Sequence, residues 1–315
     1  MDRHSELSAF LRLKRASIQP GDAGIGSWGR RRVSGLRREE VAQLSGVSTD
    51  YYRRLEQGKL PSVSESVLGT IAGALQLDQA ERDYLFNLAR PREGHRSDKA
   101  AVRRQSVRPE FGKMMAAMVD QPAFVLGRRM DFLAGNPLAL ALLTDFSAMP
   151  EEEQNMVRWM ILDPSARTLY EEWASVAEEM VGVLRADAAR FPDDVQTARL
   201  VGELAMKSEE FRIWWADRKV HERTSGSKSF MHPVVGGLEI DYEALNSAAD
   251  PDQVLFIYTA RNAASLERLR LLSSWSADAV GPARYGPGPQ ELYGSEPGTG
   301  SSAAGVERKA VGRAE

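Results

Sequence analysis

The sequence has no cysteine among its 315 residues. That absence excludes disulfides, thiol nucleophiles and cysteine-ligated zinc, and it fits a reducing cytoplasm. Histidine is scarce as well: His4, His95, His221 and His232 are widely separated, and His221-Glu222 lacks the second histidine of a zinc-binding H-E-x-x-H helix. No apolar run reaches the ~18 residues needed to span a bilayer, and the start MDRHSELSAF lacks the apolar centre of a signal peptide. Gly226-Ser227 does not extend into the G-x-S-x-G turn of a serine hydrolase. The acidic run Glu151-Glu152-Glu153 reads as a solvated helix start rather than a carboxylate site. The expectation is a cytoplasmic protein without catalytic residues, metal or cofactor, and with no membrane partner.

Neither sign of charge dominates the whole chain, whose net charge is −3, but the charges are unevenly shared. Residues 1–106 hold 19 Lys+Arg against 13 Asp+Glu, a net +6, while the remainder holds 22 against 31, a net −9. A basic first part attracts phosphates and an acidic remainder is repelled by them, so nucleic acid is expected to meet only the first part.

Within that part, Leu36 to Gly58 reads as two short helices joined by a tight turn. Leu36, Glu40 and Leu44 fall on one side of the first helix, with Val41 beside them. Gly46 supplies the residue that tolerates positive φ at the turn, and Ser48 is placed to cap the second helix. From Thr49 to Gln57, Tyr52 and Leu55 turn inward while Thr49, Asp50, Arg53 and Arg54 point outward, and Gly58 ends the helix. This is the pattern of a helix-turn-helix whose second helix enters the DNA major groove.

Around this pair, helices are expected over Ser5–Gln19, Ser64–Leu75 and from Asp78 to Leu88, making five helices in an all-α domain over residues 1–89. The loop Gly24 to Gly29 matches G-x-G-x-x-G, but it follows a helix instead of a strand, so it reads as a flexible loop delivering Arg30, Arg31 and Arg32 to phosphates or to solvent. Residues 90–107 are polar and basic and read as a linker. Residues 108–275 change pattern: a helix at 110–119, short strands at 123–127 and 130–134, a helix at 138–143, helical stretches over 154–162, 165–189, 193–207 and 209–217, strands at 228–232, 237–242 and 254–258, and a closing helix at 262–272. That order predicts an α+β domain with one antiparallel sheet and a helical insertion. Residues 276–315 are rich in Gly, Pro, Ser and Ala and read as a disordered tail.

Five strings carry a resemblance to a known family: GLRREEVAQLSGVSTDYYRRLEQG at 35–58, RPEFGKMMAAM at 108–118, DFLAGNPLALALL at 131–143, KSEEFRIWWADRKV at 207–220 and MHPVVGGLEIDYEAL at 231–245. Residues 36–58 resemble the Cro/repressor (XRE-type) helix-turn-helix, and the whole resembles the MmyB-like transcription regulators of actinomycetes. The resemblance implies a PAS-like ligand-binding second domain, a fatty-acyl ligand and control of secondary metabolism. Gly58-Lys59-Leu60-Pro61 departs from the longer Arg/Gly-rich turn of such proteins.

By position in the motif, Thr49, Asp50 and Arg53 are the expected base contacts: Arg53 can pair bidentately with guanine, and Asp50 can accept from cytosine or cap its helix. Arg38 resembles the position that clamps phosphate, and Arg30, Arg31, Arg32, Tyr51 and Arg54 are further phosphate candidates. One such module reads too little DNA alone, which leads to the expectation of a homodimer on an inverted repeat of double-stranded DNA.

The second domain has three readings: a sensor for a small apolar ligand, a dimerisation module and an enzyme. Arg128 and Asn136 are the first candidates to hold an acyl carboxylate, followed by His232, Tyr242 and Tyr258. Asn136 before Pro137 is equally suited to cap a helix, and His232 to a hydrogen-bonded place in the core.

Overall fold

The computed structural model describes residues 3–25, 33, 35–60, 62–89, 105–221 and 224–279. Arg30, Arg31 and Arg32, most of the expected linker and the chain after 279 lie outside the described residues.

The N-terminal domain consists of α1 (Arg3–Ser17), α2 (Arg38–Ser45), α3 (Thr49–Glu56), α4 (Glu65–Ala74) and α5 (Gln79–Ala89). Leu7, Phe10 and Leu11 of α1 join Val41, Tyr52, Leu55, Leu68, Ile71, Tyr84 and Leu85 in one core. Fully burying each such aliphatic side chain contributes roughly 1.5–3 kcal/mol before ordering costs. Leu36 is buried ahead of α2, its N–H bonded to the Arg15 carbonyl at 3.0 Å. The expected position of Leu44 is corrected. Because α2 begins at Arg38, its inward face is Val41, Ala42 and Ser45, and Leu44 is turned to solvent.

The second domain is built on a five-stranded antiparallel sheet in the order β2-β1-β5-β4-β3, with β1 Ala123–Leu126, β2 Phe132–Gly135, β3 Ser225–His232, β4 Gly236–Ser247 and β5 Asp250–Ala260. On one face, α6 (Pro109–Ala117) covers Ala123, Val125 and Leu255 with Phe111 and Met115. The other face carries Phe124, Leu126, Phe256 and Tyr258 into the main core. That core is closed by the insertion between β2 and β3, namely α7 (Pro137–Leu142), α8 (Met156–Leu162), α9 (Pro164–Leu169), α10 (Trp173–Arg190), α11 (Val195–Lys207) and α12 (Glu209–Asp217). A last helix, α13 (Ala263–Ala279), packs on α7 and β4. The arrangement is the expected PAS-like sheet with a helical insertion.

Several boundaries move for identifiable reasons. The helix expected over 165–189 is broken between α9 and α10, where Tyr170 leaves helical geometry to bridge Phe230 at the edge of β3 and Glu171 donates to the Ser229 carbonyl at 3.1 Å. The edge strand gains backbone partners and the Tyr170 ring gains burial, which outweigh the helical periodicity of the segment. Strands β4 and β5 run on to a hairpin pairing Ser247 with Asp250, beyond the apolar segments at 237–242 and 254–258. Helix α13 continues to Ala279, past the point where the tail was expected to begin.

The two domains are fused through α10. Ala189 at its end and Val220 after α12 are part of the N-terminal core. Glu6 of α1, 4% exposed, accepts from the Tyr84 hydroxyl at 2.8 Å and from Arg185 Nη1 at 2.5 Å, with Arg218 Nη2 at 3.5 Å from its other oxygen. Arg185 is 1% exposed, lies over the Trp215 ring at 4.2 Å and donates to the Trp215 carbonyl.

Candidate DNA-reading face and ligand cavity

The turn between α2 and α3 is made by Gly46 at φ 70°, while Val47 donates to the Ala42 carbonyl at 3.0 Å. A side chain at that φ would strain the backbone. Ser48 then caps α3 by accepting from the Tyr51 N–H at 3.1 Å. Capping is therefore done by Ser48, and Asp50 has a different partner: it pairs with Arg53 one turn on, both side chains being more than half exposed. Thr49 and Arg54 are exposed on the same helix, and Tyr51 rests partly against the domain core.

The orientation of α3 is held by Glu56, whose carboxylate is wholly buried beneath it. Arg15 Nε donates to it at 2.9 Å, and Arg38 donates from Nε at 3.0 Å and Nη2 at 2.8 Å. Burial on its own raises the Glu56 pKa, but the hydrogen bonds from Arg15 and Arg38 prevail and hold it below the ordinary carboxylate value. Arg38 thus keeps one edge on Glu56 while its side chain remains 43% exposed, so a guanidinium fixed by the protein also faces outward.

The second site is a cavity of about 190 Å³ between α10 and the sheet. Phe124, Leu126, Met130, Met156, Met180 and Phe256 are among its apolar walls. Its polar lining includes Glu179 on α10, Lys228 on β3, Tyr242 on β4 and Tyr258 on β5. Lys228 Nζ lies 5.0 Å from the Tyr242 ring centre and 5.8 Å from that of Tyr170. Burial pushes the Lys228 ammonium down to about 8, with the charge of Glu179 opposing the shift. Burial also raises Tyr170, Tyr242 and Tyr258 above the usual phenol value. Val183, His221 and Thr224 line both this cavity and a wider cleft of about 770 Å³, which adjoins α5 of the N-terminal domain.

Of the five expected ligand contacts, the structure brings Tyr242 and Tyr258 to the cavity. Arg128 lies in the cleft instead, ion-paired to Asp252 at 2.5 Å and stacked on Phe191 at 4.2 Å. Asn136 is saturated structurally: its Oδ1 accepts from Ala139 and Ala123 N–H, capping α7, and its Nδ2 donates to the Met118 and Gln121 carbonyls. His232 Nε2 meets the Ala141 carbonyl at 3.0 Å while Nδ1 accepts from the Val234 N–H, and burial lowers its pKa. These three side chains are spent on holding the fold.

Sequence reasoning missed Lys228 and the Glu6–Arg185 pair. A signal existed for Lys228, because it shares the period-two face of Phe230 and His232, where a lone lysine stands out. Arg185 likewise interrupts the buried run Val181, Val183, Leu184 and Ala188.

Among the described residues no group of histidines and carboxylates is arranged to hold a metal, and no helix is long and apolar enough to cross a membrane. No curated protein matches the chain in sequence. A helix-turn-helix domain family matches residues 6–85. The family described as MmyB-like transcription regulator ligand binding domain matches residues 107–272, over half the chain and the whole of the sheet with its cavity. A motif that presents α3 to DNA is thus fused to a domain built around a cavity, and the chain belongs to the MmyB-like transcription regulators, DNA-binding proteins with a ligand-binding domain.

Proposed function

We propose that the protein is a dimeric regulator that binds an inverted repeat through α3, and that its grip on DNA is set by an apolar, fatty-acyl-like molecule held between α10 and the sheet. Thr49, Asp50 and Arg53 then read base edges, with Arg53 exchanging Asp50 for guanine. Arg38, Tyr51 and Arg54 contact phosphates, and Arg30, Arg31 and Arg32 are further phosphate contacts by their sequence position alone. Secondary-metabolism genes are the targets that the family implies.

The observation that carries the sensor reading is the double duty of α10. It lines the cavity with Glu179, Met180 and Val183, and within the next turn it sends Arg185 to Glu6 of the DNA-binding domain. A ligand that shifts α10 therefore acts on the joint as well. Its effect on the operator equals its differential affinity for the two arrangements, so either sign of regulation is open to the same geometry.

Native mass spectrometry of the purified chain, before and after organic extraction and with a duplex selected from random sequence, tests both halves. Two chains on one inverted-repeat duplex and an extractable acyl species support the reading. A single chain per duplex rejects the dimer, and a cavity that takes up no acyl compound rejects the sensor.

A further inference from the structure

We propose that Lys228 is the anion-binding residue of the cavity, so that the site selects an organic carboxylate with a compact apolar body of about eight carbons over a neutral molecule of the same shape. The inference rests on reading the cavity as the ligand site.

Lys228 stands on β3, the edge strand, and points to the same side as the buried Phe230. Its ammonium lies against the rings of Tyr170 and Tyr242, and among the described residues no hydrogen bond or ion pair reaches it. Aromatic faces attract a cation but offer no proton acceptor along its N–H bonds. Glu179 is the acid in the lining, yet it is exposed at the rim and makes no ion pair with Lys228. The cation is thus partly stripped of water and, among the described residues, has the charge of Glu179 only at a distance and no ion pair, an arrangement that an entering carboxylate completes.

The backbone is shaped to keep this place open. Gly226 sits opposite Tyr242 in the β3–β4 register, and a Cβ there would come to 3.0 Å from the ring and its hydroxyl. Glycine lets the Tyr242 ring reach across to β3, where Lys228 meets it. Close by, the buried hydroxyl of Tyr170 faces that of Tyr258, and Tyr242 brings a further phenol to the lining. These groups suit an oxyanion better than a hydrocarbon alone.

Size follows from volume. An apolar cavity of ~150 Å³ accommodates benzene, so about 190 Å³ takes an acid of roughly eight carbons. Val183, His221 and Thr224 also line the interdomain cleft, and a longer chain extending past them meets walls made polar by Asp187, Arg190 and Asp252.

The test is calorimetric titration of the full chain, as wild type, Lys228→Met and Lys228→Arg, with octanoate, 1-octanol and myristate. Wild type is expected to bind octanoate about ten- to hundredfold more tightly than octanol. Lys228→Met should lose that preference by weakening octanoate alone, its retained octanol binding showing that the cavity is intact, and Lys228→Arg should keep the preference. Equal binding of octanoate and octanol by wild type, or an unchanged preference in Lys228→Met, overturns the role of Lys228 while leaving the sensor reading in place. Myristate binding far more tightly than octanoate overturns the compact body. Failure of all three compounds to bind wild type overturns both the inference and the sensor reading.

Discussion

Substituting Arg185 by methionine, a side chain of similar reach, withdraws the closest cation from Glu6 at the joint between the domains. The carboxylate keeps the Tyr84 hydroxyl at 2.8 Å and Arg218 at 3.5 Å, but it stays buried at 4% exposure. Removing one partner of a buried pair costs about 3–5 kcal/mol, because the remaining charge is left without compensation. Arg218 offsets part of that, so a loss of about 3 kcal/mol is expected for Arg185→Met. In the double variant Glu6→Gln/Arg185→Met the buried pair is gone while the amide oxygen still accepts from Tyr84; Arg218 and the Trp215 carbonyl lose a partner, so stability should recover by about 1–2 kcal/mol relative to the single variant. Urea denaturation followed by tryptophan fluorescence measures this, Trp215 lying against Arg185. The far-ultraviolet signal should be followed in parallel, because a weakened joint lets two domains unfold separately. A cost below about 1 kcal/mol for the single variant, the range of surface pairs, would refute the reasoning. So would a double variant no more stable than the single one.

Other expectations follow from the same geometry. Arg53→Ala should weaken operator binding by about 1–3 kcal/mol and relax preference at one base pair; equal losses on operator and random DNA, measured by fluorescence anisotropy, would show that it reads no base. Arg38→Ala should weaken both DNAs and reduce the slope of log affinity against log salt by about 1, and an unchanged slope would remove Arg38 from the phosphates. Glu56→Gln should destabilise the N-terminal domain above the ordinary carboxylate pKa, where the native carboxylate is charged and held by Arg15 and Arg38. That difference should vanish as pH falls through the lowered Glu56 pKa, and a difference persisting in acid would contradict the assignment. Carboxylate binding to the cavity should be strongest below pH 8 and fall by about tenfold per unit above it, as the free Lys228 ammonium loses its proton. Of the groups facing Lys228, Tyr170, Tyr242 and Tyr258 titrate above their usual value, Glu179 stands at the rim, and a His221→Gln control removes the other titratable residue of the lining among the described residues. A flat affinity from pH 7 to 9.5 in calorimetry would contradict this.

What the sequence determined by itself is what depends on neighbours along the chain. Gly46 and Ser48 announce the turn and cap of the helix-turn-helix within three residues, because a left-handed backbone and an N-cap hydrogen bond are local demands. Asn136-Pro137 announces the start of α7 for the same reason, and alternation of apolar residues exposes β4. The break at Tyr170 was hidden, since the partner that draws it out of helix is a strand edge some sixty residues later. The candidate contacts divide along the same line. Tyr242 and Tyr258 reach the cavity, whereas Arg128, Asn136 and His232 are engaged by Asp252, by backbone groups of residues 118–139 and by the Ala141 carbonyl. Only the tertiary structure decided that Lys228 would stand against two tyrosine rings with no ion pair among the described residues, because what surrounds a side chain is set by elements distant in sequence. Only it decided that Glu6 and Arg185, 179 residues apart, would meet. Burial makes such a pair strong and costly to break, and burial is a property of the packed chain rather than of either residue.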